Sequence, residues 1–327
     1  MTRVIVTGGA GFIGKEIVKK LLKKGYEVIV ADNLSKSKFH QKEEFIPKEK
    51  KGNYQFLNAD LTDSKSTNKL FKKIDVCINL AAKIGGIGYF HKVPGEIISE
   101  NNKIYSSTFE SAAKNNLKRM IFVSSSMVFE SASSFPSKES DIGKMPPPSS
   151  AYGFSKLTGE YYCRAFWEQY KLPYSICRPF NAYGINEYLG KEVGDAHVIP
   201  DIVNKILTKQ YPLKLLGDGN QIRCFTHVSD LADGIIAVME SRKAINDDFN
   251  IADPTPIKMV DLARLIWKMM GVKRPLTIRY VEGFKYDVKV RMPDVSKTQT
   301  LIGWRSKIKL NDGLIETINW LKSNSND

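Results

Sequence analysis

Short runs of β-branched residues alternate along the first half of the chain with segments whose apolar residues recur every three or four positions. Residues 3–7 form such a run, and residues 12–24 follow with apolar side chains at helical spacing. The same pattern predicts further strands at 27–31, 54–58, 76–80, 120–124 and 174–177, and helices at 66–73, 97–115 and 152–170. Because such alternation is typical of a parallel, doubly wound sheet, we expect an α/β fold of the Rossmann type.

The alternation becomes less regular after about residue 180. The pattern there predicts helices at 198–209, 229–241, 258–270 and 311–322, with short strands at 213–216 and 277–280. We therefore expect a first domain over residues 1–180 and a smaller, mixed C-terminal domain over 181–327, with the segment 222–250 as a candidate for return to the first domain. Two polar stretches, 35–52 and 131–150, are predicted to be long loops.

Composition and charge exclude several classes of protein. The chain has 327 residues, of which 42% are apolar and 26% charged, as in an ordinary globular protein. Its net charge of +14 comes from scattered lysines without interleaved aromatic residues, which indicates a solvated surface and no nucleic-acid partner. The four cysteines are far apart, and Cys77 and Cys177 lie in apolar runs, as expected for buried residues of a reduced, cytoplasmic protein. No apolar stretch reaches the roughly 18 residues of a membrane helix, and a strand starting at Arg3 leaves no room for a signal peptide.

A glycine cluster separates the first predicted strand from the first predicted helix. Gly8, Gly11 and Gly14 follow the strand directly, and the absence of Cβ atoms there lets backbone N–H groups and a helix N-terminus approach a pyrophosphate. Asp32 ends the second strand, where a carboxylate accepts hydrogen bonds from an adenosine ribose and disfavours the extra phosphate of NADP. Asp60, after the third strand, is predicted either to contact the adenine or to cap the next helix. These features predict NAD as the cofactor.

A second group of residues predicts hydride-transfer chemistry. Tyr152 and Lys156 are four residues apart, so they share one face of a helix. Lowering the pKa of a tyrosine from about 10 to about 7 requires roughly 4 kcal/mol, which Lys156 and a positively charged nicotinamide can supply together. The serines at 124–126 end the fifth predicted strand and offer a hydroxyl to the same substrate oxygen. Tyr152 is thus a candidate acid/base for oxidation of an alcohol.

The chain from residue 2 to about 322 resembles the extended short-chain dehydrogenase/reductase family, which contains the NAD-dependent nucleotide-sugar epimerases and dehydratases. Besides the motifs above, the resemblance rests on segments 80–82, 178–184, 217–223, 225–230 and 291–294, and on Asn102, expected before a helix. It implies NAD, a nucleotide-diphosphate sugar carrying GDP or UDP, a substrate-binding C-terminal domain and a homodimer. No metal ion and no membrane are expected.

The resemblance also implies a role for each matched position. Ser125 falls on the catalytic hydroxyl, Tyr152 on the acid/base, and Lys156 on its activator and nicotinamide-ribose ligand. The implied cofactor contacts are Gly8, Gly11, Phe12, Ile13, Gly14, Asp32, Asn33, Asp60, Leu61, Leu80, Ala81, Ala82, Tyr152, Lys156 and Pro179. The implied substrate contacts are Gly85, Gly86, Ser126, Met127, Asn181, His197, Val198, Arg223 and Arg291. Asn181 and the two arginines are the implied diphosphate ligands, since guanidinium groups form paired hydrogen bonds with phosphate oxygens.

Met127 narrows the expected reaction. The 4,6-dehydratases and UDP-glucuronate decarboxylases of the family carry an acidic residue there. Segments 81–88 and 197–200 look like the GDP-sugar branch, that is GDP-fucose synthase and GDP-mannose 3,5-epimerase, which carries a catalytic cysteine at this position. A thioether cannot exchange a proton.

We therefore expect oxidation of a hexose or heptose at C4, by a 4-epimerase or a 4-dehydrogenase. The open alternatives are a 3,5-epimerase in which His197 is catalytic, a 4-keto-sugar reductase, and a non-enzymatic NAD-sensing or RNA-binding protein. If the enzyme is a 4-epimerase or a 4-dehydrogenase, His197 is expected only to line the pocket.

Overall fold

Seven parallel strands form the central sheet of the computed structural model, which describes residues 1–35, 52–187, 189, 196–283 and 287–324. The strands are β1 (Arg3–Thr7), β2 (Glu27–Asp32), β3 (Tyr54–Asn58), β4 (Val76–Asn79), β5 (Arg119–Val123), β6 (Tyr174–Pro179) and β11 (Asp247–Ile251). They lie in the order β11-β6-β5-β4-β1-β2-β3, and every neighbouring pair is parallel. The predicted Rossmann-type α/β fold is confirmed.

Helices cover both faces of this sheet, which explains why its central strands are mostly apolar. Helices α1 (Phe12–Lys23) and α7 (Val228–Glu240) pack together on one face. Helices α2 (Ser64–Leu70), α4 (Pro94–Lys114) and α5 (Ala151–Tyr170) cover the other. A short helix, α3 (Ile87–Lys92), precedes α4. Apolar side chains of the strands and helices form one buried cluster on each face.

The rest of the described chain has its own apolar core. It contains helices α6 (Val198–Leu207), α8 (Met259–Met269) and α9 (Leu310–Ser323). Its short strands are β7 (Ala182–Tyr183), β8 (Leu213–Leu216), β9 (Ile222–Cys224), β10 (Thr226–His227), β12 (Pro256–Lys258), β13 (Ile278–Val281) and β14 (Val290–Arg291). They pair as β12-β9-β14, β13-β8 and β10-β7.

Predicted and observed elements agree in kind and differ at their ends. The predicted helix 66–73 is Ser64–Leu70, because the side chain of Asp63 accepts a hydrogen bond from Lys65 N and so begins the helix earlier. Asn102 was expected before a helix and lies inside α4, which begins at Pro94. The predicted strands 213–216 and 277–280 are β8 and β13, whereas the helix α3 and the other strands of the three small sheets were not predicted.

Two further predictions concern loops and domains. Of the predicted loop 35–52, residues 36–51 lie outside the described residues, and the predicted loop 131–150 includes a short 3₁₀ turn at Glu139–Asp141. Within the segment 222–250, α7 packs on α1 and β11 pairs with β6, while β9 belongs to a small sheet. The division into two domains at residue 180 stays a prediction.

All four cysteines are buried and free of disulfides. No helix in the described part of the chain is long and apolar enough to cross a membrane.

Candidate active site

The glycine turn between β1 and α1 is closed so tightly that side chains do not fit. Gly8 has a φ of +70°, and a Cβ there would lie 2.9 Å from Ala81 N. A Cβ at Gly14 would lie 2.7 Å from Gly9 Cα and closer still to the Gly8 carbonyl oxygen. Gly11 is the N-cap residue of α1, and the first turn of this helix has no side-chain cap and no acidic residue. The backbone N–H groups of this turn therefore suit an anion such as a pyrophosphate.

Asp32 lies beside this turn. Its carboxylate accepts hydrogen bonds from Ala10 N (3.0 Å) and Leu34 N (2.8 Å), which fixes the carboxylate against the glycine turn at the end of β2. Asn33, next in the chain, is exposed and accepts a hydrogen bond from Ser35 N. The position of Asp32 agrees with its predicted ribose contact.

Two predicted cofactor residues, Asp60 and Leu61, follow β3. The carboxylate of Asp60 accepts hydrogen bonds from Thr62 N and Thr62 Oγ1 in an exposed turn, so the alternative of a helix cap is wrong and Asp63 takes that role. The side chain of Leu61 is 4% exposed and belongs to the apolar core with Ile5, and its carbonyl accepts a hydrogen bond from Ser107. The side chain of Leu61 therefore packs in the apolar core.

The other predicted cofactor residues frame the same turn. Phe12 and Ile13 form the first turn of α1 and are partly exposed, as are Leu80, Ala81 and Ala82 after β4 and Pro179 at the end of β6. The backbone N–H of Ala81 points to Thr7 Oγ1 at 3.4 Å, and Thr7 in turn donates to Asn79. The residues fit NAD, because a Cβ does not fit at Gly8 or Gly14, the first turn of α1 has no side-chain cap, and the carboxylate of Asp32 lies beside the turn.

Ser125, Tyr152 and Lys156 meet as predicted, at the end of β5 and the start of α5. Tyr152 is 4% exposed and forms a side-chain hydrogen bond with Ser125. Lys156 is 3% exposed, its ammonium donates to Val123 O at 2.8 Å, and it lies 6.0 Å from the centre of the Tyr152 ring. Ser150 is the N-cap of α5 and accepts a hydrogen bond from Gly153 N, so the helix starts one residue before Tyr152.

Burial controls the ionisation of this group in the protein alone. It raises the pKa of Tyr152 above its ordinary value, against the opposing effects of Ser125 and of the charge on Arg291. Burial also lowers the pKa of Lys156 to about 7, although Glu160, one turn further along α5, raises it. Tyr152 is thus protonated at neutral pH, and positive charge placed beside it would favour its deprotonation.

Predicted substrate residues from three distant segments converge beside Tyr152. Met127 packs against Tyr152 in one apolar cluster with Ile97. Arg291 donates from one guanidinium nitrogen to Met127 Sδ at 2.8 Å and from the other to Asn181 Oδ1 at 3.3 Å. Burial and the charge of Arg223 lower the pKa of Arg291 to about 9. Ser126 is buried in the 3₁₀ turn that carries Met127.

Arg223 is present but already paired. Its guanidinium donates to Asp287 Oδ1 at 2.9 Å, and Gln221 donates to the other oxygen of the same carboxylate. Sequence reasoning missed Asp287, because a single Asp beside a loop carries no pattern that ties it to Arg223. Asn181 is fixed by a hydrogen bond from its amide to Cys224 O at 2.8 Å, and its φ is positive.

His197 and Val198 begin α6 at another part of the C-terminal half. The side chain of His197 is about half exposed, and its Nδ1 contacts the buried carboxylate of Glu187. Val198 packs on the core of that half. Glu187 was missed by sequence reasoning, since a carboxylate ten residues before a histidine is not a recognisable motif.

Gly85 and Gly86 lie in the loop 80–86 between β4 and α3, which we call the β4–α3 loop. Both are buried, and a Cβ at Gly85 would lie 2.6 Å from the ring of Tyr89. Ile84 and Tyr89 also pack on the cluster of Met127 and Tyr152, so this loop borders the candidate acid/base as expected. No group of three or more His, Cys, Asp or Glu residues in the described ranges is arranged to hold a metal ion.

Comparison with known proteins identifies the class of this chain. Residues 4–252 match the model of the NAD dependent epimerase/dehydratase family, so the chain belongs to that family and is an enzyme that uses NAD.

Three similar proteins show the range of reactions in this family. The chain is 31% identical over 334 residues to the UDP-N-acetyl-alpha-D-glucosaminuronate decarboxylase of Bacillus cytotoxicus, covering 99% of both chains. The UDP-glucose 4-epimerase of Thermotoga maritima has a TM-score of 0.86 and 27% identity, with 99% of this chain and 100% of that chain covered. The dTDP-glucose 4,6-dehydratase of Streptomyces venezuelae, solved with NAD bound, has a TM-score of 0.87 and 25% identity, covering 99% and 98%. These names support the family and do not support the narrower resemblance to the GDP-sugar branch.

Proposed function

We propose that this enzyme oxidises C4 of a nucleotide-diphosphate sugar and acts as a 4-epimerase. The observation that carries the proposal is the group of Ser125, Tyr152 and Lys156 beside a thioether at position 127. Decarboxylation, dehydration and epimerisation at C3 or C5 each use a further acid/base next to the sugar, and Met127 cannot supply one. Release of the 4-keto sugar would instead make the enzyme a 4-dehydrogenase.

Tyr152, Ser125 and Lys156 have different roles in the reaction at C4. Tyr152 takes the proton of the C4 hydroxyl, and Ser125 hydrogen-bonds the same oxygen. The ammonium of Lys156 stabilises the phenolate that Tyr152 becomes, at the 6.0 Å separation seen between its nitrogen and the ring centre. Held by the glycine turn and Asp32, NAD would supply the acceptor for the C4 hydride and, once reduced, the donor that returns the hydride to the keto sugar. Tyr152 then gives its proton back.

For the nucleotide we propose a UDP-linked sugar, in place of the expected choice between GDP and UDP. The support is the similarity to UDP-sugar enzymes over nearly the whole chain. Arg291 and Asn181 are the proposed diphosphate ligands, because Arg291 contacts both Met127 and Asn181 and has an unpaired Nε within the described structure. Arg223 adds less positive charge, since Asp287 neutralises it.

A homodimer is the proposed assembly. Phe154 and Tyr161 are seven residues apart on α5, so they lie on one face of the helix, and they are 42% and 58% exposed. Exposed aromatic rings on one helix face are suited to contact with a second copy. A mass near twice 36.9 kDa by light scattering supports this, and a monomer under the same conditions contradicts it.

One set of assays with different sugar nucleotides tests both the proposed reaction and the proposed choice of nucleotide. The purified enzyme is incubated in heavy water with NAD and, in turn, with UDP-glucose, UDP-N-acetylglucosamine, UDP-glucuronic acid and GDP-mannose. We expect a C4 epimer of a UDP-sugar with no carbon-bound deuterium by NMR. Turnover of GDP-mannose alone would contradict the choice of UDP, and accumulation of a 4-keto product would establish a dehydrogenase.

The contact of His197 with Glu187 favours a second candidate, a 3,5-epimerase. A buried carboxylate that holds Nδ1 of an imidazole orients the ring and increases its basicity, as in catalytic acid/base pairs. Such an enzyme removes a carbon-bound proton beside the ketone and returns one from solvent. Stoichiometric deuterium at C3 or C5 in the same assays would therefore replace the first proposal by the second.

A further inference from the structure

Glu130 joins the two elements that carry the candidate catalytic hydroxyls. It directly follows the 3₁₀ turn Ser126–Phe129, and its backbone N–H donates to Met127 O at 3.1 Å. Its carboxylate oxygen Oε2 accepts two hydrogen bonds from Ser150, one from the backbone nitrogen at 3.0 Å and one from Oγ at 2.8 Å. One side chain thus connects the end of this turn to the N-cap residue of α5.

The catalytic hydroxyls lie at the other end of the same pair of elements. Ser125 is the N-cap residue of the 3₁₀ turn, and its Oγ accepts a hydrogen bond from Met127 N at 3.1 Å. Tyr152 lies two residues after Ser150, and its side chain forms a hydrogen bond with Ser125. The separation of the two hydroxyls therefore depends on how α5 sits against the turn.

The turn and the start of α5 are in close contact. A Cβ at Gly153, in the first turn of α5, would lie 2.8 Å from Met127 O and 2.8 Å from Pro148 Cβ. The hydroxyl of Ser150 accepts from Gly153 N at 3.1 Å and donates to Glu130, so it is held on both sides. The first turn of α5 contains no acidic residue, and the carboxylate of Glu130 supplies the negative charge that a helix N-terminus favours.

We propose that Glu130 is a positioning residue that acts through Ser150 to set the distance between the hydroxyls of Ser125 and Tyr152. The inference rests on the proposed role of Tyr152 as the acid/base. Proton transfer requires a short distance between donor and acceptor, so a small shift of α5 relative to the turn lowers kcat.

Two substitutions at Glu130 separate its hydrogen bonds from its charge. Glu130→Gln keeps the shape and one acceptor oxygen for Ser150, whereas Glu130→Ala removes both hydrogen bonds. Burial lowers the pKa of Arg291, and the charge that both variants remove opposes this effect. A change in KM for the sugar nucleotide through Arg291 is therefore common to both variants, and the difference in kcat between them reports the hydrogen bonds.

We expect Glu130→Ala to lower kcat at least fivefold, and Glu130→Gln to retain at least threefold more kcat than Glu130→Ala. The substrate is the sugar nucleotide that gives product in the assays above. The Kd for NAD, from calorimetry, should stay within twofold at an unchanged stoichiometry, which shows that the variants are folded.

A double-mutant cycle tests the connection through Ser150. Ser150→Ala should lower kcat at least threefold in the unmodified enzyme and less than twofold in Glu130→Ala, where the hydroxyl no longer has a carboxylate to hold it. Ser131→Ala is the matched control, because the hydroxyl of Ser131 donates to Pro147 O at 3.1 Å in the same loop, outside α5. It should leave kcat unchanged in both backgrounds.

Other results would overturn the inference. These are a smaller loss of kcat in Glu130→Ala, a Glu130→Gln variant as impaired as Glu130→Ala, or an equal effect of Ser150→Ala in both backgrounds. If Glu130→Ala fails to bind NAD, the comparison of Ser150→Ala with Ser131→Ala decides, and equal kcat in these two contradicts the inference.

Tyr152→Phe, assayed alongside, separates the two proposals. If Tyr152→Phe is active, the proposed function fails. If it is inactive and Glu130→Ala has normal kcat, only the positioning role fails.

Discussion

The cofactor end of the site and its substrate end are built in different ways. At the cofactor end, Gly8, Gly14 and Asp32 shape a cradle from backbone groups within one strand–helix–strand unit. At the substrate end, Met127 and Arg291 come from segments 164 residues apart and meet through side chains. Binding at the cofactor end therefore depends on whether a Cβ fits at its glycines. Binding and chemistry at the substrate end depend on whether side chains from distant segments carry a proton or a charge. Each end can therefore be changed separately.

The largest effect is expected where the two ends meet, at Tyr152. Tyr152→Phe removes the acid/base and keeps the ring that packs on Ile97 and Met127, so turnover should fall by roughly 10³-fold or more. Affinity for NAD, measured by calorimetry, should stay within about threefold. Substantial residual turnover would mean that another group moves the C4 hydroxyl proton.

A methyl group at Gly14 should damage the cofactor end alone. The Cβ of Gly14→Ala meets backbone at Gly8 and Gly9, which cannot move aside as a side chain can, at a cost of roughly 1–3 kcal/mol. We expect NAD affinity to fall by about tenfold to a hundredfold in calorimetry. Gly95→Ala, whose Cβ would meet nothing within 4 Å, is the control and should bind NAD normally. Equal effects in both variants would refute the close-packed cradle.

Arg291→Lys should damage the substrate end alone. Lysine keeps the positive charge and loses the two-nitrogen geometry that reaches Met127 and Asn181. We expect KM for the sugar nucleotide to rise by roughly tenfold, about 1.4 kcal/mol, with the Kd for NAD unchanged. A parallel loss of NAD affinity would show that the two ends are coupled.

A last effect concerns stability, without any change in catalysis, and follows from the buried Lys156. Its pKa is about 7 in the folded protein and near 10.5 when exposed, so between these pH values the unfolded chain binds more protons and unfolding becomes harder as pH rises. Lys156→Met lacks this contribution. We expect the unmodified enzyme to gain at most about 1.4 kcal/mol per pH unit relative to Lys156→Met, from denaturant unfolding at pH 7 to 9.5. Parallel pH curves for the two proteins would argue against the lowered pKa.

The same contrast explains which parts of the molecule were predictable. The strand–helix order and the glycine turn follow from local patterns, because periodicity and missing Cβ atoms are visible in consecutive residues. The group of Tyr152 and Lys156 was predictable for the same reason, since both lie on one helix. The pairing of Arg223 with Asp287, and of His197 with Glu187, depends on the path of loops that no periodicity describes. The core position of Leu61 was missed because its neighbours in sequence are polar.

The strand β11 has a consequence for how the polypeptide matures on the ribosome. It hydrogen-bonds to β6 along Asp247–Ile251, although about seventy residues separate the two strands in the chain. Until β11 leaves the exit tunnel, β6 remains an uncovered edge, and such an edge invites pairing with other chains. We therefore expect a nascent chain that stops near residue 180 to need a chaperone, and a gene fragment cut there to give an aggregating product. The central sheet is complete only after the chain has been synthesised as far as Ile251, the last residue of β11.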